Sequence, residues 1–319
     1  MNDLLPTSCR LCPRACGADR AAGQRGLCGA DDTLVVARAA LHFWEEPPIS
    51  GQAGSGTVFF AHCPLRCVYC QNAVIAQGRA GREVTVGRLA ELCRGLEGQG
   101  ALNVNLVTPT HYAPQARAAV ALAREQGLGV PVVWNTGGYE TPEAVRANAG
   151  TVDVYLTDFK YADPRLGARY SQAPDYPDVA LAALEAMVEQ VGPPAFDEVD
   201  GMPRMRRGVV VRHLLLPGNL DDSKAVVALL QERFGSSVLL SLMNQYTPVV
   251  AAAAERGEGL ARATIARCPE LARPVRAEDY EALLDFADAQ GVEDYFWQEG
   301  GAASESFVPT FDGTGVVVP

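Results

Sequence analysis

The chain has 319 residues, with 27 lysine and arginine against 38 aspartate and glutamate side chains and a net charge of −11. That length holds one large domain or two modest ones, and 48% apolar with 20% charged residues excludes a wholly disordered chain. The acidic balance excludes the basic footprint of a dedicated duplex-DNA binder, and no apolar run approaches the roughly 18–20 residues of a membrane span. Met1-Asn2-Asp3-Leu4-Leu5-Pro6 carries neither a positive n-region nor an apolar h-region, so no secretory signal and a soluble, cytoplasmic protein are expected.

In chain order, the opening is rich in cysteine. Seven of the nine cysteines fall within the first 70 residues: Cys9, Cys12, Cys16, Cys28, Cys63, Cys67 and Cys70. An odd total without a signal peptide argues against a disulfide framework and for metal binding. The quartet Cys9, Cys12, Cys16 and Cys28 can close a tetrahedral zinc site or hold a second iron–sulfur cluster, since both use four thiolates. The first pair has zinc-knuckle spacing and the ferredoxin run is absent, which leans to zinc. A segment with so little apolar content is hard to order without a metal cross-link, and a structural lid is its expected role. Next come Leu34-Val35-Val36 and the pair Glu45 and Glu46, read either as solvent-facing or as positioning a substrate. The Pro/Gly/Ser stretch 47–56 has no apolar period and reads as a linker or binding loop. No Gly-Lys-Ser/Thr follows its Gly-Ser-Gly run, which argues against a nucleoside triphosphate loop.

Short apolar runs then alternate with helical patterns. Strands are expected at 57–61, 102–107, 131–134, 152–157, 208–216 and 237–243, and helices at 86–97, 115–126, 142–148, 179–191 and 224–234. Thr85 stands where an N-cap is wanted and Gly127 where a helix should stop. Cys93 shares a helical stripe with Leu89, Leu92 and Leu96 and reads as a buried structural thiol; Cys268 has no assigned role. Strands followed by helices imply a parallel sheet with right-handed crossovers, either open and doubly wound or curled into a partial barrel. Polar or small residues end each strand, where the ligand site of such a sheet lies.

Directly after the first expected strand stands Cys63-Pro64-Leu65-Arg66-Cys67-Val68-Tyr69-Cys70, three thiolate candidates at spacings of four and three. Three cysteines on one loop can reach three irons of a 4Fe–4S cube, leaving the fourth iron for an exogenous ligand. Structural zinc sites and ferredoxin clusters are normally closed by four protein ligands. The competing reading is a zinc site completed by His62 or a distant group.

The Cys-x3-Cys-x-aromatic-Cys pattern, with Tyr69 in the aromatic position, resembles the radical S-adenosylmethionine (SAM) superfamily. Within it, Glu45–Gly51, Gly54–Phe60, Asn105–His111 and Arg212–Gly218 resemble proteins like the pyruvate formate-lyase-activating enzymes, in a branch with a Cys-rich N-terminus. The resemblance implies an α/β fold: a partial (β/α)6 TIM-type barrel over 56–250, preceded by a Cys-rich metal-binding extension and loop over 1–55 and followed by a helical and strand extension over 251–319. It implies a 4Fe–4S cluster on Cys63, Cys67 and Cys70, SAM as cofactor with Tyr69 beside its adenine, and a flavodoxin- or ferredoxin-type electron donor. The implied reaction is cleavage of SAM to a 5′-deoxyadenosyl radical that abstracts hydrogen from a glycyl radical enzyme partner. The alternatives are radical modification of a small molecule, RNA or peptide, and a non-enzymatic iron–sulfur or zinc protein.

Several positions are implied to contact SAM. The activases' Gly-Gly-Glu is replaced by Thr108-Pro109-Thr110-His111, so backbone carbonyls or the Thr108 and Thr110 hydroxyls must hold the amino group. His111 is either a ligand residue or a hydrogen-bonded core histidine. Asn135 and Thr136 face the ribose or carboxylate, Asp158 and Lys160 match an Asp-x-Lys whose lysine pairs with the carboxylate, and His213 points to the same ligand. Strand alternation puts Arg212 and His213 on opposite faces, and Arg212 can instead pair with an acid across the sheet. Asn72 is a candidate polar neighbour of the cluster sulfurs.

Overall fold

The computed structural model describes residues 4–293, 295–297 and 308–316. After an opening of turns come β1 (Leu34–His42), the helical turn α1 (Pro47–Ser50), β2 (Ser55–Phe60), α2 (Ala73–Ala76), β3 (Arg82–Val84), α3 (Val86–Gly98), β4 (Val104–Val107) and α4 (Ala113–Glu125). The chain continues through β5 (Val132–Thr136), α5 (Pro142–Arg146), β6 (Val154–Asp158), α6 (Pro164–Ser171), α7 (Tyr176–Val191), β7 (Ala195–Val199), β8 (Met202–Leu214) and α8 (Leu220–Phe234). It closes with β9 (Leu239–Met243), α9 (Val249–Glu255), α10 (Gly259–Arg267), α11 (Ala277–Ala289) and β10 (Tyr295–Phe296).

The fold is α/β with a mostly parallel sheet in the order β10-β9-β8-β6-β5-β4-β2-β1-β3. From β2 through β9 to β10 every pairing along this path is parallel; β1 runs antiparallel between β2 and β3. All six expected strands are present, five within two residues of their expected bounds and β8 starting earlier, at Met202 rather than 208. Thr85 caps α3 by accepting the Arg88 N–H, Gly127 lies just past α4 at φ +101°, and Cys93 is fully buried. Among the described residues no helix is long and apolar enough to cross a membrane.

Alternation along the strands sorts the side chains. Val58, Phe60, Leu106, Trp134, Tyr155, Val209, Val211 and Leu242 face the helices and join the main core. Their neighbours Val133, Val154, Leu156 and Val210 face the other way and pack on Ile49 of α1. The stretch read as a linker thus includes a structural plug. Pro47 and Pro48 start α1, where a missing N–H costs nothing, and Ile49 is fully buried on the sheet's inner face.

Other elements lie outside the expected pattern: β1, α6, the β7–β8 hairpin and helices α9–α11. The hairpin turns on Asp200-Gly201, with φ of +52° and +77°. Those signs at both central residues suit a two-residue hairpin turn, for which Asp-Gly is a preferred pair.

Candidate active site

A cavity of about 640 Å3 opens over the C-terminal ends of the parallel strands, lined among others by Cys63, Cys67, Tyr69, Cys70, Thr108, Asn135, Thr136, Asp158 and Lys160. The same inner face that holds Ile49 near its base carries polar residues one or two steps farther along: Asn135 beyond Val133, Asp158 beyond Leu156, Arg212 beyond Val210. Strand periodicity therefore makes apolar base and polar site successive levels of one surface.

The cysteine loop is anchored by neighbours on several sides. Val68 N–H donates to Tyr170 O at 2.8 Å, Gln71 Nε2 to Gln245 O at 2.7 Å, and Arg14 Nε to Pro64 O at 3.0 Å. His62 and Thr108, which follow β2 and β4, both occupy the left-handed region, at φ +70° and +57°, and such backbone cost concentrates at functional sites. Burial, reinforced by the neighbouring cysteines, pushes the Cys63 thiol up and the Cys70 thiol up to about 12. Metal ligation would displace these protons. Asn72 lies on the cavity wall, but its contribution to Cys70 comes from the backbone N–H, which opposes the upward shift.

Among the described residues no three His, Cys, Asp or Glu side chains are grouped to hold a single metal ion. Mononuclear zinc would need the loop thiolates to converge on one point at about 2.3 Å. A cubane requires no such convergence, because each cysteine takes a different iron, and three thiols around one cavity fit that donor set.

Beside the loop lies a buried ion network. Lys160 Nζ sits 2.5 Å from Asp158 Oδ2. Arg212 donates to Asp158 Oδ1 at 3.1 Å, Glu45 Oε2 at 3.2 Å and Asn135 Oδ1 at 2.6 Å. Glu45 also accepts from Asn105 at 3.0 Å and Asn135 at 3.4 Å. Burial works against the Lys160 charge, but Asp158 and Cys67 outweigh it and hold the ammonium well above its ordinary range. Burial likewise raises Asp158, and Lys160 and Arg212 overcome it to hold the carboxyl below its usual value. A solvent-facing Glu45–Glu46 pair is therefore corrected. Both line the cavity, the Glu45 side chain is only 8% exposed, and burial pushes both carboxyls up despite Arg212.

Three expected site residues lie outside the cavity lining. Thr110 donates to Glu140 Oε1 at 2.6 Å, which commits its hydroxyl elsewhere. The same buried oxygen takes the hydroxyl of Thr136 at 2.8 Å and the Trp134 indole N–H at 3.2 Å. His111 is a hydrogen-bonded core histidine: Nε2 donates to Ala61 O at 2.8 Å, and burial lowers its pKa to about 3. The placement of His213 is corrected too. It lies on the helix-facing side of β8, donates from Nδ1 to Phe159 O at 2.7 Å, and is lowered by burial to about 4. Arg212, one residue earlier, takes the inward place and pairs with an acid across the sheet.

The N-terminal thiols lie near one another. Burial raises the Cys9 thiol and the nearby Cys16 adds to the shift, and the sulfurs of Cys16 and Cys28 both flank Gly26. Burial pushes Cys12 up to about 12. This lobe grips the cysteine loop and the end of α6 through Arg14, which also donates to Ser171 O at 2.9 Å. Fully buried Arg20 donates to Asp31 O at 2.7 Å and also reaches His111 O.

The family profile of the Radical SAM superfamily matches residues 57–230, more than half of the chain. An uncharacterized protein of Methanocaldococcus jannaschii is 25% identical over 295 residues, covering 90% of this chain and 76% of its own length. Among solved structures, Streptococcus suis SuiB bound to precursor peptide SuiA superposes with a TM-score of 0.47 and 13% identity, over 75% of this chain and 46% of SuiB. A radical SAM methyltransferase from Sphaerobacter thermophilus gives 0.46 and 15% identity, over 76% of this chain and 67% of its own. The chain thus spans less than half the length of SuiB. With the family's span covering the cysteine loop and strands β4 to β8 around it, the chain belongs to the radical SAM superfamily.

Proposed function

We propose that this protein is an enzyme that cleaves SAM reductively at a 4Fe–4S cluster held by Cys63, Cys67 and Cys70. The observation that carries the reading is three thiols lining one cavity with no fourth cysteine on its wall among the described residues, which leaves one cluster corner for the cofactor. A reduced cluster held there would supply the one electron needed to cleave the C5′–S bond of SAM to methionine and a 5′-deoxyadenosyl radical. The chain's own residues bind and exclude water. Lys160, kept charged beside Asp158, offers the cation for the methionine carboxylate; Thr108 and Asn135 offer polar contacts, and Tyr69 an aromatic wall. The six parallel strands β2, β4, β5, β6, β8 and β9, neighbours in sequence order, support reading the sheet as a partial (β/α)6 barrel.

The cavity rim carries half-exposed aromatics, Phe43 at 48%, Trp44 at 54% and Trp297 at 52%. A mouth of this kind suits a polypeptide better than a small molecule sealed from solvent, and favours hydrogen abstraction from a protein partner, as in glycyl radical activation. We read Cys9, Cys12, Cys16 and Cys28 as a second metal-binding set that stiffens the lobe gripping the loop; the lack of convergence on one point among the described residues, which disfavours mononuclear zinc at the loop, applies here too and favours a cluster.

Anaerobic reconstitution followed by an assay for 5′-deoxyadenosine tests the chemistry before any substrate is known. Cys67→Ala should abolish cleavage with the fold retained, and full cleavage by that variant would overturn the assignment. A stoichiometric glycyl radical on a partner, seen by paramagnetic resonance, would support the activase reading; catalytic turnover of a diffusible compound would replace it.

A further inference from the structure

Behind the cysteine loop lies a chain of buried hydroxyls. Ser171 Oγ is 3.1 Å from Cys67 Sγ, Tyr161 OH is 2.8 Å from Ser171 Oγ, and Tyr69 OH is 2.7 Å from Tyr161 OH. Ser171 and Tyr161 are fully buried, and Tyr69 is 7% exposed. The geometry alone leaves each donor open, but ligation decides all three. A metal-bound thiolate has no proton and can only accept. Ser171 must then give its single proton to Cys67, so Tyr161 must donate to Ser171, and Tyr69 to Tyr161. A phenol carries its proton at neutral pH, with an ordinary pKa near ~10, so the donors this relay needs are present.

The chain is also rigidly built. Tyr161 packs edge-on against Tyr176 at 5.3 Å between ring centres, and Tyr69 packs against Tyr170 at 6.1 Å. Ser171 ends α6 immediately before Gln172, held left-handed at φ +52°. Tyr69 belongs to the same loop as Cys67, so the relay leaves the loop through α6 and returns to a ligand two residues away.

We propose that Ser171, with Tyr161 and Tyr69 behind it as positioning residues, forms a one-way hydrogen-bond relay onto the Cys67 sulfur that sets the reduction potential of the cluster. The proposal rests on reading the loop as a cluster site. Hydrogen bonds to cluster sulfurs are an established lever on potential. Donation to the thiolate favours the reduced, more negative state and moves the midpoint upward. Sequential hydrogen bonds polarise one another, so removing a distal hydroxyl weakens the terminal bond without deleting it.

The test is a redox titration of the full-length, anaerobically reconstituted protein without SAM, followed by paramagnetic resonance. At fixed potential the reduced-to-oxidised ratio of Ser171→Ala should fall roughly three- to tenfold, a downward midpoint shift of about 30–59 mV. Ser171→Thr, which keeps a hydroxyl, should stay near wild type, and Tyr161→Phe should shift less than Ser171→Ala but in the same direction. Equal midpoints at equal cluster content would overturn the proposal. If Ser171→Ala fails to hold a cluster, Tyr161→Phe decides; cluster loss in both would make the hydroxyls a structural support and overturn the tuning role. Absence of any cluster signal in the wild type would instead sink the proposed function.

Discussion

Arg212 is the junction of the buried ion network, and its removal has a calculable consequence. Its guanidinium serves Asp158, Glu45 and Asn135 at once. In Arg212→Met, Asp158 keeps Lys160 at 2.5 Å, but Glu45 keeps only the neutral donors Asn105 and Asn135. The group that loses a direct ion pair is Glu45, in a side chain only 8% exposed, and the buried Glu46 loses the same counter-charge at longer range. Breaking a buried pair by deleting one partner costs about 3–5 kcal/mol. For a chain of this size, that corresponds to roughly 5–7 °C in the unfolding midpoint. Adding Glu45→Gln removes the stranded charge and leaves mainly lost neutral hydrogen bonds, about 1 kcal/mol each. The double variant should therefore recover at least half of the loss. Urea denaturation of the single and double variants under reducing, anaerobic conditions measures both quantities. A cost below about 1 kcal/mol for Arg212→Met, or a further loss on adding Glu45→Gln, would refute the account of Arg212 as the counter-ion that permits Glu45 to be buried.

Other consequences follow from single sites. His111 and His213 stay neutral in the fold, lowered to about 3 and about 4, whereas free histidine titrates near ~6.5. Below that value the unfolded chain takes up protons that the folded one refuses, so the stability they confer above pH ~6.5 is lost as the pH falls toward 4. The stability gap between wild type and the His111→Asn/His213→Asn double variant should change by up to about 2.7 kcal/mol per pH unit in this window; parallel curves would contradict the burial argument. For the N-terminal quartet, Cys12→Ala should release its metal complement while the Cys67 loop stays loaded, and identical metal content by elemental analysis would count against that site. Thr85→Ala should cost about 1 kcal/mol by uncapping α3, with Thr85→Ser near neutral; equal loss in both would point to packing instead of the hydrogen bond to Arg88.

Much of the site was legible because its signal is local. Cys63, Cys67, Tyr69 and Cys70 share one loop, and Asp158 ends, and Lys160 closely follows, a strand whose apolar run marks it plainly. The Asp200-Gly201 hairpin was not read from the sequence, although a turn pair of this kind specifies its own geometry. Glu45 and Glu46 were not, since a short acidic pair carries no sign of whether an arginine 167 residues away will meet it. Ser171 and Tyr161 offered even less. A serine at a helix end and a tyrosine in a loop are ordinary until packing brings them to the sulfur of Cys67.

Residue order alone determined the alternation of strands with helices, the parallel sheet it demands and the three-thiolate loop at a strand's end, since each depends on spacing along a few neighbouring residues. Tertiary packing decided which face of β8 looks inward, and so gave the site Arg212 in place of His213. It also turned α1 into the plug beneath the cavity and brought the hydroxyls of Ser171 and Tyr161 behind Cys67. Those outcomes depend on burial and charge pairing between segments far apart in the chain, for which a linear pattern holds no record.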